Sequence, residues 1–376
     1  SGGYRALPRV RHRKVLKSWG TPILTNQVSA MTLALSYGQP EHGPDHQTTG
    51  PLSLQQRVHR AIACHTEFSL DTILTQDNRV KYTNEGSSET ATGPLDEVFQ
   101  LMRQLNETGI ASDTLGRIHE DGRSFRAALE ESCGRIANEL AGERLVYVEL
   151  GPEPVKTGFI LKTLQGLGVI IDRYIAVDIN PMSAAPMRAA LAATLPDTPL
   201  EFVTAPFEAC RLEDMIEDGA PPALVTMLGF QEGNDDPAVV NGWLRDITRP
   251  GDLLLSESQL YTIEQTDKIS GFYAHPAMQR FSRIAFERAV DRSLPTLNRF
   301  FLLPVVFEDG QSAQVAILAE EFAHSISGRN LHVSNFCLKL TRDQYRSYRQ
   351  EGGHFEIFGE SYTDDQTLHF QLSRRV

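Results

Sequence analysis

Residues 145–157 read LVYVELGPEPVKT, and this stretch decides the fold. Its first six residues, LVYVEL, form an apolar run interrupted only by Glu149, which is typical of a strand buried on both faces of a sheet. The glycine and prolines of GPEP predict a tight turn, and a helical pattern follows over residues 155–167. The stretch therefore predicts one strand, turn and helix of an α/β sheet.

The same alternation continues towards the C-terminus. Apolar runs that predict strands lie at residues 174–179, 200–204, 223–228 and 252–256, and helical patterns run to about residue 195, near residues 211–217 and over residues 237–247. Strands and helices that alternate at this spacing indicate a parallel, doubly wound sheet. We therefore expect an α/β protein with a Rossmann-like core.

The segments on either side of this core follow different patterns. Residues 54–74, 95–106 and 112–141 show helical spacing and predict a mostly helical N-terminal region. After Leu260 the alternation stops. The sequence then predicts a long helix at 276–290, strands at 299–307, 313–321 and 331–340, a helix at 341–350 and a hairpin of strands near 354–361 and 366–373 around residues 363–365.

These patterns suggest four regions. They are an N-terminal extension (1–80), a core with its helical lead-in (81–260), an inserted α+β unit (261–340) and a return to the core (341–376). The basic start at residues 9–17 is interpreted as a solvated surface arm, and the extension is a candidate for homodimer formation.

Composition restricts the classes of partner. The chain has 376 residues, 41% of them hydrophobic, and a net charge of −12. An acidic chain repels nucleic acid and anionic membranes, so we expect a small-molecule substrate and neither of those partners. No apolar run reaches the ~18 residues of a membrane span and no secretory signal pattern opens the chain, which predicts a cytoplasmic protein.

Four cysteines are far apart, without CxxC spacing: Cys64, Cys133, Cys210 and Cys337. Neither disulfides nor a metal site is expected.

Two acidic residues end neighbouring predicted strands. Glu149 and Gly151 close the first strand, at the edge where open α/β sheets bind ligands. A glycine there allows the backbone to approach a ligand closely, although a plain strand-to-helix turn would look the same. Asp178 closes the second strand, where a carboxylate can accept hydrogen bonds from two ribose hydroxyls. Asp178 can also cap the helix that starts near Asn180, and the two roles are compatible.

A third candidate site is the stretch MLGFQEGN at residues 227–234. It places Gly229, Glu232 and Asn234 after the fourth strand, and polar groups that follow an apolar strand suit a substrate pocket. The alternative is a polar turn before a helix that is capped by Asp235 or Asp236. A nucleotide with a pyrophosphate would need the Gly-x-Gly-x-x-Gly fingerprint, which is missing, whereas S-adenosylmethionine (SAM) carries no phosphate.

These residues resemble those of a known family. ELGPEPVKT at residues 149–157 is similar to the "ELGSGxxxKT" loop of the histidine-specific N-methyltransferases, whose best-known member makes trimethylhistidine for ergothioneine, and whose fungal relatives methylate a prenylated tryptophan. Residues 174–178, 228–237 and 250–255 resemble further stretches of the family, such as "GxxxGN-x-DP" and "PGDxLLL". The resemblance covers roughly residues 80–376. It implies a class I methyltransferase sheet, SAM as the cofactor and an inserted substrate-recognition unit.

The resemblance also implies roles for single residues. In the cofactor site, Gly151 and Lys156 would line the loop, Asp178 would hold the ribose and Phe207, in APFE at residues 205–208, would flank the adenine. Asn234 would contact the amino-acid backbone of the substrate. Tyr82, in KYTNEGS at residues 81–87, resembles a family tyrosine near the accepting amine.

The sequence departs from the family at several of these places. Glu153 replaces the second loop glycine, Pro206 precedes the adenine-flanking phenylalanine, and no tyrosine pair lies near residues 107–109. Asn335 and Cys337 stand in NFC, where the family reads the imidazole of histidine with EIS. We therefore expect substrate contacts at Asn335 and Cys337 with a different amino acid as the acceptor.

Methyl transfer requires a neutral amine lone pair held about 3–3.5 Å from the methyl carbon. Tyr82 or Glu232 is a candidate to steer the amine proton. Glu232, Glu257 and the pair Asp235 and Asp236 suggest a cationic side chain such as that of arginine, since paired carboxylates match a guanidinium. They can equally be helix caps and solvated charges.

The resulting hypothesis is a SAM-dependent N-methyltransferase of a free amino acid or amino-acid derivative in natural product biosynthesis. Two alternatives stay open. One is a catalytically inactive SAM-fold protein with a binding or regulatory role. The other is an O- or C-methyltransferase of a small metabolite.

Overall fold

The computed structural model describes residues 52–75, 93–290, 293–324 and 328–376. Most of the predicted N-terminal extension, and Tyr82 with its KYTNEGS stretch, lie outside the described residues. In chain order the elements are α1 (Leu54–His65), β1 (Ile73–Thr75), α2 (Gly93–Ala111), α3 (Phe125–Leu140), β2 (Arg144–Leu150), α4 (Pro154–Gly166), β3 (Ile170–Asp178), α5 (Ala184–Leu191), β4 (Leu200–Thr204), β5 (Ala223–Met227), α6 (Pro237–Asp246), β6 (Leu253–Gln259), α7 (Thr266–Tyr273), α8 (Pro276–Ala289), β7 (Thr296–Val306), β8 (Ser312–His324), β9 (Gly328–Lys339), α9 (Arg342–Gln350), β10 (Phe355–Tyr362) and β11 (Leu368–Arg375).

Seven of these strands form the core sheet, in the order β10-β11-β6-β5-β2-β3-β4. Strands β2 to β6 are parallel, and β11 runs antiparallel to both β6 and β10. Strand β2 has β3 on one side and β5 on the other, so the strand order reverses at β2. Open α/β sheets bind their ligands at the carboxyl ends of the strands beside such a reversal. The prediction of an α/β, Rossmann-like sheet is confirmed.

The apolar run that decided the fold is buried on both faces. Along β2, Leu145 and Tyr147 belong to the apolar cluster that includes α3 and α4, whereas Val146 and Val148 belong to the cluster that includes α6. Side chains alternate between the two faces of a strand, so a continuous apolar run supplies both cores at once. The central strand is thereby fixed between two layers of helices.

A second sheet has the order β1-β9-β8-β7. Its three long strands are antiparallel, and β1 adds to β9 in parallel, with Ile73 opposite Leu331. Helix α1 packs on one face of this sheet and α8 on the other. Residues 54–75 therefore share a core with the inserted unit.

Three predicted helices were wrong in extent. The helix predicted over residues 54–74 ends at His65, because residues 73–75 pair with β9. The helix predicted over 112–141 begins only at Phe125, since Gly116 adopts a φ of 81° and the Asp364 carboxylate binds the backbone N–H groups of Ile118 and His119. Within 211–217 only a 3-10 turn forms. None of the described helices has the combination of length and apolarity needed to cross a membrane.

Candidate active site

A cavity of ≈ 380 Å³ opens at the carboxyl edge of the core sheet. Its volume lies within the range of about 300–1,000 Å³ that is typical of small-molecule sites. Residues from both sheets line it. Those from the core include Glu149, Gly151, Glu153, Lys156, Asp178, Asn180, Phe207, Gly229, Gln231 and Asn234, and those from other elements include Leu54, Val98, Phe99, Met102 and Phe336.

The turn after β2 is fixed by a protein side chain. Gly151 has a φ of 68°, and a Cβ atom placed there would lie 2.2 Å from Nε2 of Gln231. That amide nitrogen donates to the carbonyl oxygens of Leu150 at 3.1 Å and of Gly151 at 3.2 Å. The positive φ therefore favours glycine, and the Gln231 carboxamide, which no sequence pattern indicated, would have to move to admit a Cβ atom.

Glu153, which replaces a family glycine, caps helix α4. Its carboxylate oxygens accept hydrogen bonds from the backbone N–H groups of Val155 at 2.9 Å and Lys156 at 3.0 Å. A carboxylate at this position also interacts favourably with the positive end of the helix dipole. The replacement of glycine by Glu153 therefore supplies hydrogen bonds to the first turn of α4.

Glu149 lines the floor of the cavity. It is 2% exposed, and its carboxylate accepts hydrogen bonds from the hydroxyl groups of Thr157, at 2.5 Å, and Tyr174, at 2.7 Å. Burial raises the pKa of Glu149 to about 7, although these hydroxyls favour the ionised form. The carboxylate is therefore held in place by the two neighbouring elements α4 and β3.

Asp178 lines the same cavity at the end of β3. Its Oδ1 accepts from the backbone N–H of Asn180 at 2.9 Å, and burial raises the pKa of Asp178 to about 6. The cap of the following 3-10 turn is Asn180, whose Oδ1 accepts from the N–H of Met182. Phe207 follows β4, the strand that pairs with β3, and it also lines the cavity. This arrangement suits a ribose at Asp178 and a flat base near Phe207.

Two predicted ligand-binding residues bind each other. The Lys156 Nζ lies 2.6 Å from Oε2 of Glu257, and both side chains are buried. The same oxygen accepts from the backbone N–H of Gly229 at 2.8 Å. This ion pair joins α4, β6 and the turn after β5, so the charges of both residues are compensated inside the protein.

Glu232 lies on the other side of the turn after β5. Arg349 Nη2 is 2.5 and 2.6 Å from its two carboxylate oxygens, and the hydroxyl groups of Tyr345 and Ser256 also donate to it. Glu232 is not among the described residues that line the large cavity, whereas Gln231 and Asn234 are. The turn therefore presents Asn234 to the cavity and Glu232 to α9.

Strand β9 packs directly on this turn. The Cys337 Sγ lies 3.5 Å from the carbonyl oxygen of Phe230, and a Cβ atom on Gly233 would be 2.6 Å from that sulfur. Phe336 lines the cavity, whereas Asn335 and Cys337 are not among its described lining residues. The predicted substrate contacts Asn335 and Cys337 are therefore not placed at the described lining of the cavity, and Cys337 packs on the turn after β5 instead.

Several cavity residues gave no signal in the sequence. Leu54, Val98, Phe99 and Met102 are apolar residues at ordinary helical spacing, and only the packing of α1 and α2 near the sheet edge reveals them. Among the described residues, no group of three or more histidine, cysteine, aspartate or glutamate side chains could hold a metal ion.

Residues 123–285 match the model of the histidine-specific, SAM-dependent methyltransferase family. The chain is a SAM-dependent methyltransferase, and its cofactor is SAM. No curated protein matches the chain by sequence.

The chain is also similar to solved structures. A SAM-bound amino pentose methyltransferase from Micromonospora echinaspora, involved in calicheamicin biosynthesis, is 12% identical, with 66% of this chain and 92% of that chain covered and a TM-score of 0.33. A SAM-dependent methyltransferase from Mesorhizobium loti is 14% identical, with coverages of 66% and 98% and a TM-score of 0.36. The 1,6-didemethyltoxoflavin-N1-methyltransferase of Burkholderia thailandensis, with its substrate and S-adenosylhomocysteine bound, is 11% identical, with coverages of 75% and 90% and a TM-score of 0.34.

Proposed function

We propose that this SAM-dependent methyltransferase, whose residues 123–285 match the histidine-specific family, methylates the amine of a free amino acid or a close derivative. One observation carries the proposal. Gly151, Asp178 and Asn234 follow three adjacent strands, β2, β3 and β5, and line one cavity. This arrangement supports a proposed adenosine site at Gly151 and Asp178 with a proposed acceptor contact at Asn234 beside it.

The lining of the cavity fits SAM. Its described acidic residues are Glu149, Glu153, Asp178, Glu208 and Asp235, and the one described cation, Lys156, is paired with Glu257. Such a lining favours a positively charged sulfonium and disfavours a phosphate-bearing nucleotide. Asp178 would hold the ribose and Phe207 would flank the adenine. When bound, SAM supplies an activated methyl group on its sulfur.

Asn234 is proposed to orient the acceptor. Its side-chain amide can donate to a carboxylate and accept from an amine, which are the two groups of an amino-acid backbone. Attack requires the amine to be neutral and close to the methyl carbon. Tyr82 stays our predicted group for guiding the amine proton. Glu232 is proposed to act by fixing the turn, because Arg349 and two hydroxyl groups engage both of its oxygens.

The biological role, the cellular location and the oligomeric state of the protein are also proposals. An acceptor that fits a cavity of ≈ 380 Å³ is a small molecule, and we propose a role in small-molecule biosynthesis in the cytoplasm. A homodimer formed through residues 1–80 remains a prediction.

The test is to incubate the purified chain and SAM with the free amino acids and to analyse the products by mass spectrometry with fragmentation. We expect an amino acid that carries one or more methyl groups on nitrogen. Methylation on oxygen or carbon would instead support the alternative enzyme class. Bound SAM without any methylated amino acid would contradict the proposal.

Two variants separate the two halves of the site. Asn234→Ala should raise the KM for the acceptor by about 10-fold or more while the Kd for SAM stays unchanged, since a lost hydrogen bond to a charged group costs about 1.5–3 kcal/mol. Asp178→Asn should weaken SAM binding instead. A change of SAM affinity in Asn234→Ala would contradict the division of roles.

A further inference from the structure

Lys339, on strand β9, is a buried lysine whose hydrogen-bond partner is a thiol. Its side chain is fully buried. Among the described residues, the one hydrogen-bond acceptor of its Nζ is the Cys337 sulfur, at 3.3 Å. A buried ammonium group is normally paired with a carboxylate, because an unpaired charge is costly inside a protein. The fold therefore places an amine and a thiol in direct contact, away from solvent.

Two aromatic rings hold the amine in this position. Lys339 Nζ lies 5.0 Å from the ring centroid of Phe230 and 5.3 Å from that of Tyr273. Such contacts stabilise a cation, but they supply no carboxylate. Cys337 and Lys339 are separated by one residue of β9, so their side chains leave the same face of the strand. The strand and the rings together keep the nitrogen beside the sulfur.

The chemistry of this pair depends on the neutral form of the amine. Burial disfavours the charged form and lowers the pKa of Lys339. A neutral amine has a lone pair, so it can take the proton of a neighbouring thiol, and it is a nucleophile. The deprotonated thiol is the species that peroxides oxidise. The amine can therefore assist oxidation of the sulfur first and attack the oxidised sulfur afterwards.

A small cavity of ≈ 30 Å³ is bordered by the residues that the sulfur contacts. Its lining includes Phe230, Gly233 and Leu338. The Cys337 Sγ lies 3.5 Å from the carbonyl oxygen of Phe230 and 3.6 Å from that of Leu338. A Cβ atom on Gly233 would be 2.6 Å from the same sulfur. A volume above about 10–15 Å³ can hold a water molecule, and hydrogen peroxide is only slightly larger. The cavity therefore offers room for a small oxidant near the thiol.

We propose that Cys337 and Lys339 form an oxidation site, at which hydrogen peroxide converts the pair into a covalent sulfur–nitrogen bond. The thiolate attacks one peroxide oxygen and the O–O bond breaks, which gives a sulfenic acid. The departing hydroxide takes the thiol proton from the amine and becomes water. The Lys339 lone pair then forms the S–N bond as the S–O bond breaks, and the second hydroxide leaves as water with a proton of the amine. The sulfur loses two electrons, and the peroxide is reduced to two molecules of water.

The site packs against the turn after β5, which carries Asn234. The new bond would replace the amine beside Phe230 with a group that cannot carry the same charge. A thiol reductant would restore the thiol and the amine, since a thiolate can attack the sulfur and displace the nitrogen. The modification uses neither SAM nor the acceptor, and it is therefore separate from the proposed methyl transfer.

The experiment treats the purified chain with hydrogen peroxide and maps its tryptic peptides by mass spectrometry. Trypsin does not cleave after a modified lysine, so residues 330–342 should remain one peptide. This peptide should be lighter by about 2 Da, because two hydrogen atoms are lost. Dithiothreitol should restore the mass and the cleavage after Lys339. Cys133 is the internal control, since it is also buried and no described lysine forms a hydrogen bond with it. It should remain a thiol.

Two variants test the pair itself. In Lys339→Met the amine is absent, so peroxide should leave a sulfenic acid on Cys337 that reacts with dimedone, without the loss of mass. Cys337→Ser should show neither product. Calorimetry with SAM checks that each variant is folded. Complete cleavage after Lys339 in the oxidised wild-type chain would overturn the proposal. The same loss of mass in residues 330–342 of Lys339→Met would also overturn it.

Discussion

Arg349 holds both carboxylate oxygens of Glu232, with its Nη2 at 2.5 and 2.6 Å from them. Glu232 belongs to the turn after β5, and Arg349 to helix α9, which follows the inserted strands in sequence. The ion pair therefore joins the return segment of the chain to the turn that carries Asn234. The pair is buried, and we propose that it holds this turn in position.

We expect Arg349→Met to destabilise the protein by about 3–5 kcal/mol, because it leaves the Glu232 carboxylate buried and unpaired. Unfolding in urea measures this change. The double variant Glu232→Gln/Arg349→Met should recover part of the loss, since it removes the unpaired charge. Arg346→Met is the control on the same helix. Arg346 is 46% exposed in its pair with Glu360, and its loss should cost less than about 1 kcal/mol. Equal losses in Arg349→Met and Arg346→Met would contradict the assigned role.

Gly151→Ala should weaken SAM binding by about 10-fold, since the left-handed backbone costs an L residue about 1–2 kcal/mol. The added Cβ would lie 2.2 Å from Gln231 Nε2, at a φ of 68° that alanine rarely adopts. Gly158→Ala is the matched control in the adjacent helix, where a Cβ meets no atom within 4 Å. Alanine there should stabilise the helix by about 0.5–1 kcal/mol and leave SAM affinity unchanged. Calorimetry with SAM checks both variants, and normal binding by Gly151→Ala would refute the account of this turn.

We expect the affinity for SAM to depend on pH through Asp178. Burial raises the pKa of Asp178 to about 6, so the carboxylate is protonated below that pH and accepts fewer hydrogen bonds from a ribose. The ionised form binds better, and affinity should therefore fall as the pH drops, by about 5-fold between pH 6 and pH 5. Asp178→Asn should bind weakly at every pH without this slope. Asp172→Asn, on the same strand but in a surface pair with Arg144, should retain the wild-type profile. A pH-independent wild-type affinity would argue against Asp178 as the ribose ligand.

Glu149 should make the stability of the folded protein depend on pH, with lower stability at higher pH. Burial raises the pKa of Glu149 to about 7 in the folded protein. A raised pKa contributes stability that is fully present below the unfolded pKa, near 4.5, and that is lost as the pH rises through 7. We expect the free energy of unfolding of Glu149→Gln, relative to that of wild type, to increase from pH 5 to pH 8 by up to about 3 kcal/mol. Urea unfolding of both proteins at the two pH values measures this, and a constant difference would exclude a raised pKa.

Much of the core sheet could be predicted from local pattern. Residues 200–204 form the predicted strand, and the other parallel strands differ from prediction at their ends, because apolar runs mark buried strands well and their ends poorly. The errors lie where distant contacts override local spacing. Residues 73–75 pair with β9, and residues 112–124 bend around Asp364.

In the candidate site, too, some features could be predicted from the sequence and others could not. Positions at strand ends could be predicted, since topology brings them to one edge, as for Gly151 and Asp178. Partners could not be predicted, because they come from other parts of the chain. Lys156 meets Glu257 and Glu232 meets Arg349 only after folding. The sequence shows which residues are acidic, but not which of them form ion pairs inside the folded protein.

The most direct test of the central claim is a crystal structure of the chain with S-adenosylhomocysteine. We expect the ribose hydroxyls to bind the Asp178 carboxylate, the adenine to lie by Phe207 and the sulfur to face the space between Asn234 and Phe336. A nucleoside bound away from Asp178, or a sulfur directed away from Asn234, would contradict it.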